Sequence, residues 1–359
     1  MTDAIRWVGL DVHAAQTTMA VIDKDTGELS RCRLRGAPSA VLEFLAGFEG
    51  RVIAVYEAGP TGMTLARRAR ERGIDMRVCA PGLIPRKPTD RVKTDKRDAE
   101  ILARQLAAGG LSFVRVPTEE EEALRDLVRA REDVRQDLSR ARHRLSKFLL
   151  RRDLRHEGSN WTQKHLHWIA QLRFADRASQ MTSAEYLQAV RTLMHRRQTL
   201  ERELEAILPS APFAETALRL RCFRGIDTLS AIGLCAEVGD FGRFDKPTRL
   251  SAFLGIVPTE YTTDTKRRLG SITKAGSSHA RRLLVEAAWH YRLGARPSRE
   301  LSKRQQGQPE HVIAIAWKAQ QRLGRTWRRL DQERGKRRTL VAVAVARELA
   351  GFCWAVARA

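Results

Sequence analysis

Residues 5–11 read Ile-Arg-Trp-Val-Gly-Leu-Asp, a β-branched and aromatic run that closes on an acid, Asp11. Such a run predicts a strand with a carboxylate at its exit. Two more runs, Thr17–Ile22 and Leu29–Leu34, flank Asp25-Thr26-Gly27, a hairpin turn signal, so three strands open the chain. A helical stretch, Ala40–Phe48, leads to a strand Val52–Tyr56 that ends at Glu57, then to a helix from Thr61 to Arg72 stopped by Gly73. A strand follows over Met76–Ala80. Beyond a loop holding Pro81, Pro85 and Pro88, a helix runs from Asp95 to Ala108, before Gly109-Gly110. The order β-β-β-α-β-α-β-α is best accommodated by a mixed sheet with helices on both faces.

That is the order of a ribonuclease-H-like domain, in which the first and fourth strands are neighbours. Asp11 and Glu57 then end side by side at one edge of the sheet. Asp95 and Asp98, at i and i+3 on the first turn of a helix, project to one side and complete the cluster. Each acid alone has a plainer reading: Asp95 or Asp98 as a helix cap or first-turn acid favoured by the dipole, Asp11 as a solvated strand end. Four carboxylates converging in this order cannot all stay ionised without cations. Hard oxygen ligands suit two Mg²⁺ about 4 Å apart, which activate a nucleophile and stabilise the leaving oxygen in phosphodiester chemistry.

From Thr118 the apolar period becomes heptadic. Leu124, Leu127, Arg131, Val134, Leu138, Ala141, Leu145 and Phe148 form one seam, and Val190, Leu193, Arg197, Leu200, Leu204 and Ile207 a second. This predicts a coiled-coil arm over residues 116–208, paired antiparallel through the reversal at Gly158-Ser159-Asn160 or paired with a second subunit. Pro209 and Pro212 mark a boundary, beyond which residues 209–359 read as mostly helical. Phe223-Arg-Gly-Ile-Asp-Thr resembles a helix-hairpin-helix turn, with Asp227 where a second glycine is usual, and reads equally as a packing turn.

The 359 residues carry 65 Lys or Arg against 42 Asp or Glu, a net charge of +23. With 43% hydrophobic residues, this is a folded basic protein whose partner is a polyanion, most simply nucleic acid. Residues 1–115 hold 19 basic and 14 acidic side chains, residues 116–208 hold 18 and 15, and residues 209–359 hold 28 and 13. The excess is therefore mostly C-terminal. There, Lys266, Arg267, Arg268 and Lys274 lie on a Gly-punctuated loop between Pro258 and Gly276, with Arg281 and Arg282 opening the next helix. They make a phosphate-contacting surface, and hydroxyls among such cations are candidate nucleophiles; on composition alone the stretch also reads as an ordinary solvated loop. Five cysteines without a C-x-x-C pair exclude a zinc ribbon and a disulfide framework and fit a reducing cytoplasm. No signal peptide is expected, and the apolar tail Leu340–Ala357, broken by Arg347 and Glu348, reads as a buried helix rather than a membrane span.

The GLDVH strand with Asp11, the YEAGPTG turn with Glu57, the KTDKRDA run with Asp95 and Asp98, and the later FRGI, EVGDFGRF, LSAFLGIVPTEY and GSITKAGSSHARRLLVEAAW blocks resemble the DEDD insertion-sequence transposases related to the Piv invertases. The resemblance spans residue 5 to about residue 355. It implies a RuvC-like domain over residues 1–115 bearing Asp11, Glu57, Asp95 and Asp98 as metal ligands, a coiled-coil region, and a C-terminal transposase domain over residues 209–359. It also implies a bacterial, nucleoid-associated enzyme that uses Mg²⁺. Its partners would be donor and target DNA, a structured bridge RNA as guide, and further copies of itself, a dimer assembling to a tetramer. In that family a C-terminal serine joins covalently to DNA; the matching position here is Thr263, within Thr262-Thr263-Asp264. Threonine keeps the hydroxyl, but its β-methyl restricts χ1 and crowds an in-line approach. A shift of the nucleophile to Thr262 or Ser271 is the alternative, as are a metal-dependent nuclease or Holliday-junction resolvase needing no guide, and a non-catalytic nucleic-acid-binding derivative.

Overall fold

The computed structural model describes residues 4–85, 95–263, 266–296 and 298–359, which divide into two compact units, Met1–Thr118 and Glu119–Ala359. In the first, three strands, β1 (Ile5–Val12), β2 (Gln16–Asp23) and β3 (Leu29–Arg35), precede α1 (Ala40–Ala46), β4 (Arg51–Glu57), α2 (Thr64–Glu71), β5 (Asp75–Cys79) and α3 (Asp95–Ala107). The sheet order is β3-β2-β1-β4-β5, antiparallel on the β2 and β3 side and parallel from β1 through β4 to β5. Strand alternation explains both faces. Val8, Leu10, Met19, Val21, Ala54, Tyr56 and Val78 bury against Val41, Leu42 and Leu45 of α1 and Leu65 and Ala69 of α2. The other face, with Ile53, Val55 and Cys79, meets Leu102 and Leu106 of α3. Helices thus cover both sides of a mixed sheet, as the element order requires. Pro88 lies outside the described residues.

The second unit starts with α4 (Glu119–Leu150), α5 (Gln163–Gln171) and α6 (Arg177–Ile207). α4 and α6 pack in opposite directions. Leu138, Ala141, Leu145 and Phe148 meet Leu187 and Val190 at one end, while Leu124 and Val128 share a core with Leu204 and Leu208 at the other. One seam position differs from the heptad reading. Ile207 is 38% exposed, because α6 ends there and a 3₁₀ turn at Leu208–Ser210 turns Leu208 inward instead. Arg131, a polar residue on the seam, is neutralised across the pair by Glu201, which accepts from its Nε at 3.0 Å.

Then come α7 (Ala214–Leu220), α8 (Thr228–Val238), α9 (Pro247–Phe253), a hairpin of β6 (Pro258–Thr263) and β7 (Lys266–Ile272), α10 (Ser278–Trp289), α11 (Arg299–Gln305), α12 (Glu310–Arg328) and α13 (Arg338–Ala357). Where composition suggested a loop between Pro258 and Gly276, the backbone pairs as strands. β-Branched Thr259, Thr262 and Thr263 favour that state despite their polarity. The Phe223–Thr228 turn is a packing turn. Phe223 and Ile226 are fully buried, and a Cβ on Gly225 would stand 2.7 Å from the Ala287 carbonyl oxygen of α10. α13 is long and apolar enough to cross a membrane, yet Val341, Val345, Leu349, Cys353 and Val356 lie inside the main core of this unit.

Candidate active site

The last residues paired between the parallel strands β1 and β4 are Leu10 and Tyr56, so Asp11 and Glu57 follow side by side where the two strands part, Asp11 still paired with Thr18 and Glu57 with Cys79. The turn after Glu57 is fixed by Tyr56, whose hydroxyl donates to the Gly62 carbonyl at 3.0 Å, and by the Ala58 N–H, which donates to the Cys79 carbonyl at 3.0 Å. α3 reaches the same end of the sheet because it lies directly on β1. A Cβ at Gly9 would stand 2.1 Å from the Ala99 carbonyl oxygen and 2.5 Å from the Ala103 nitrogen. Gly9 pairs with Ala20, and Ala20, Ala99 and Ala103 pack together as a cluster of small side chains. With no side chain to hold α3 away, its first turn comes level with Asp11.

Asp11 pairs with Thr18, and Thr18 with Arg33, so these three form one row across the α3 face. Over this row sits Asp95. His13 Nε2 lies 3.3 Å from Asp11 Oδ2 and 4.0 Å from Asp95 Oδ1, and Arg33 Nη2 lies 3.5 Å from Asp95 Oδ2. Donor atoms of Asp11, His13 and Asp95 all fall within 4.8 Å of one another. Burial raises the Asp11 pKa, His13 opposes that, and the charges of Asp95 and Asp98 raise it further. Glu57 is not part of the three-residue cluster. Its charge acts on Cys79, whose thiol is pushed up to about 11 by burial first and by Glu57 second. Asp98 likewise stands outside the cluster but close enough to act on Asp11.

This donor set fits a divalent cation: two carboxylates and an imidazole converge, and a cation would offset both the burial and the repulsion that raise Asp11. A second sign is Thr18, 2% exposed, whose Oγ1 has no hydrogen-bond partner among the described residues and sits in the same row as Asp11. His13 was not singled out in the sequence. Its signal is there in GLDVH, where it follows Asp11 by two residues, one past the end of β1.

In the second unit, Thr263 ends β6 opposite Lys266. The side chains of Thr263, Lys266 and Arg267 lie outside the described residues, as does Asp264. Thr262 Oγ1 donates to Glu260 Oε1 at 2.7 Å, and Ser271 lies within β7. Arg268 is exposed and pairs in register with Tyr261, which is 74% exposed. Lys274 is exposed at a left-handed φ of 57°, its N–H donating to the Gly255 carbonyl at 3.0 Å. Arg281 and Arg282 are engaged within the protein. Arg281 Nη1 donates to the carbonyls of Leu254, Ala275 and Gly276, and Arg282 pairs with Glu286 and Glu132 at 2.7 Å each.

Comparison with known proteins converges on one family. The DEDD transposase model of the IS110 group matches residues 8–152, which hold all four acids, and the model described as transposase IS116/IS110/IS902 family matches residues 217–302, which hold Thr263 and the basic hairpin. The y4qE protein of Sinorhizobium fredii is 41% identical over 360 residues, covering 98% of this chain and 88% of its own. The transposase for insertion sequence element IS1533 of Leptospira borgpetersenii is 34% identical over 342 residues, covering 92% and 98%. The transposase for IS1328 of Yersinia enterocolitica is 27% identical over 267 residues, 72% of this chain and 76% of its own. An acidic strand-end site on a mixed sheet, followed by a basic helical unit, is here the build of a DNA-recombining enzyme: the chain belongs to the IS110/IS116 family of insertion-sequence transposases.

Proposed function

We propose that this transposase carries out Mg²⁺-dependent, bridge-RNA-guided, site-specific strand exchange between donor and target DNA, in the manner of the Piv-related recombinases. The observation that carries the reading is the convergence of Asp11, His13 and Asp95, with Glu57 at the neighbouring strand end and Asp98 one helical turn from Asp95. Asp11, Glu57, Asp95 and Asp98 are the metal ligands, and His13 is a further donor or orients Asp11. Bound there, Mg²⁺ supplies charge neutralisation and Lewis acidity for phosphodiester cleavage. Residues 1–115 thus carry the metal chemistry, residues 116–208 form a coiled-coil element for assembly from dimer to tetramer, and residues 209–359 grip nucleic acid. Lys266, Arg267, Arg268 and Lys274 contact phosphates directly. Arg281 holds the base of the hairpin through the Leu254, Ala275 and Gly276 carbonyls, and Arg282 ties α10 to α4 through Glu132, an indirect part in the same surface.

Thr263 is the nucleophile: its Oγ bonds to phosphorus, the deoxyribose oxygen departs and takes up a proton, and the chain is left joined to DNA. Target choice resides in base pairing with the guide RNA, so it is not encoded in this chain. Trapping tests both steps. With a DNA end substrate, guide RNA and Mg²⁺, the wild type and Thr263→Ser should yield a covalent protein–DNA adduct and Thr263→Ala none. An adduct at full yield in Thr263→Ala would remove Thr263 from the reaction, and metal-dependent cleavage by the wild type without any adduct would favour nuclease or resolvase chemistry.

A further inference from the structure

The region between Lys318 and Arg338 holds nine Lys or Arg and two acids, and it lies beyond the residues matched by either family model. Its apolar side is committed to the core: Val312, Ala316, Ala319, Leu323 and Trp327 of α12 are buried. The opposite side is cationic. Lys318, Arg325, Arg328 and Arg329 are exposed and form no ion pair among the described residues, whereas Arg322 is held by Glu348 at 2.9 Å and Arg338 by Asp331 at 3.4 Å. After Arg328 the helix widens into a π turn, Arg329–Glu333, before Arg334, Lys336 and Arg337, all exposed, lead into α13.

We propose that this stripe is a nucleic-acid contact surface separate from the β6–β7 hairpin, and that it takes the sugar-phosphate backbone of duplex DNA. Three observations select that partner. With the Glu348-paired Arg322 included, Lys318, Arg322, Arg325 and Arg329 place a cation about once per helical turn on a rigid element, each turn rising about 5.4 Å, which lets one face follow consecutive phosphates of a strand. Only Trp317, 40% exposed, offers an aromatic surface on α12, whereas an unpaired strand is held by a series of stacking platforms. DNA is also the substrate that the enzyme must hold in any reading of its chemistry. Contacts of this kind position the duplex and carry no sequence information. The proposal deepens the reading of residues 209–359 as the nucleic-acid grip, but it does not depend on guide RNA, metal or Thr263.

The test is binding of the full chain to a mixed-sequence DNA duplex across a salt series, in an Asp11→Asn background so that no strand is cut. Replacing Lys318, Arg325, Arg328 and Arg329 together by Gln should weaken binding about 10- to 100-fold near 0.1 M salt and lower the log–log salt slope by about three to four. Two double variants, Lys318 with Arg325 and Arg328 with Arg329, should each give about half the slope change. They also keep the test open should the fourfold variant melt early. An Arg→Lys version of the three arginines should bind as the parent does. Unchanged duplex affinity and slope overturn the proposal, as does a loss seen only with a hairpin RNA of matched length. Loss in the Arg→Lys version overturns it too, because charge would then not be the cause. The catalytic proposal stands or falls separately, on strand exchange by the parent chain.

Discussion

Gly9 determines whether the acidic cluster exists at all. A methyl group there would meet backbone atoms of α3, which cannot rotate away, so Gly9→Ala is expected to cost about 1–3 kcal/mol and to move Asp95 off Asp11. A lowered Tm together with loss of strand exchange larger than the stability loss explains would bear this out. His13 is the second test at this scale. Removing its donor atom in His13→Ala should weaken divalent-cation binding about 10- to 100-fold, measured calorimetrically with Mg²⁺ alone. The placement of the four acids was legible because strand ends and first helical turns are visible in sequence. His13, two residues on from Asp11, was passed over, and Thr18 was not legible, since its value comes from the β1–β2 register, which places it beside Asp11.

At the scale of elements, the helices of the second unit are tied by buried acids. Glu237 of α8 accepts from Arg129 of α4 at 3.1 and 3.3 Å, and His279 of α10 lies 3.9 Å away. Burial pushes Glu237 up, but His279 beside it and the hydrogen bonds from Arg129 prevail and hold it at about 2, against an ordinary 4.5. A carboxyl with a depressed folded pKa stabilises the fold above its unfolded value and loses that contribution as pH falls through the folded one. About 3 kcal/mol should therefore disappear between pH 4.5 and 2, and Glu237→Gln should flatten that part of a stability–pH curve followed by urea unfolding. None of these ties was legible, because cross-helix partners depend on a register that heptads alone do not give. The apolar seam was legible in Leu138, Ala141, Leu145 and Phe148, and it slipped only at Ile207, where α6 ends. The β6–β7 hairpin was hidden by composition: its Thr, Lys and Arg residues read as solvated loop although their β-branched members favour strand.

For the molecule as a whole, the net charge of +23 becomes a distribution with consequences. The first unit is modestly basic around a site of carboxylates, and most of the excess lies on residues 209–359, on the hairpin and on the outer face of α12. The apolar α13, readable in sequence as a buried helix, fills the core beneath that face. Binding and chemistry should accordingly separate. Charge-neutralising changes on the second unit are expected to weaken DNA binding and its salt dependence, whereas changes at the acids should leave binding intact. The most direct measurement is strand exchange by purified Asp11→Asn beside the wild type, with DNA binding recorded on the same preparations over a Mg²⁺ series. Wild-type exchange is expected to require Mg²⁺, and the Asp11→Asn enzyme is expected to bind DNA as tightly but to exchange strands at least about 10³-fold more slowly. Exchange by Asp11→Asn at the wild-type rate would contradict this.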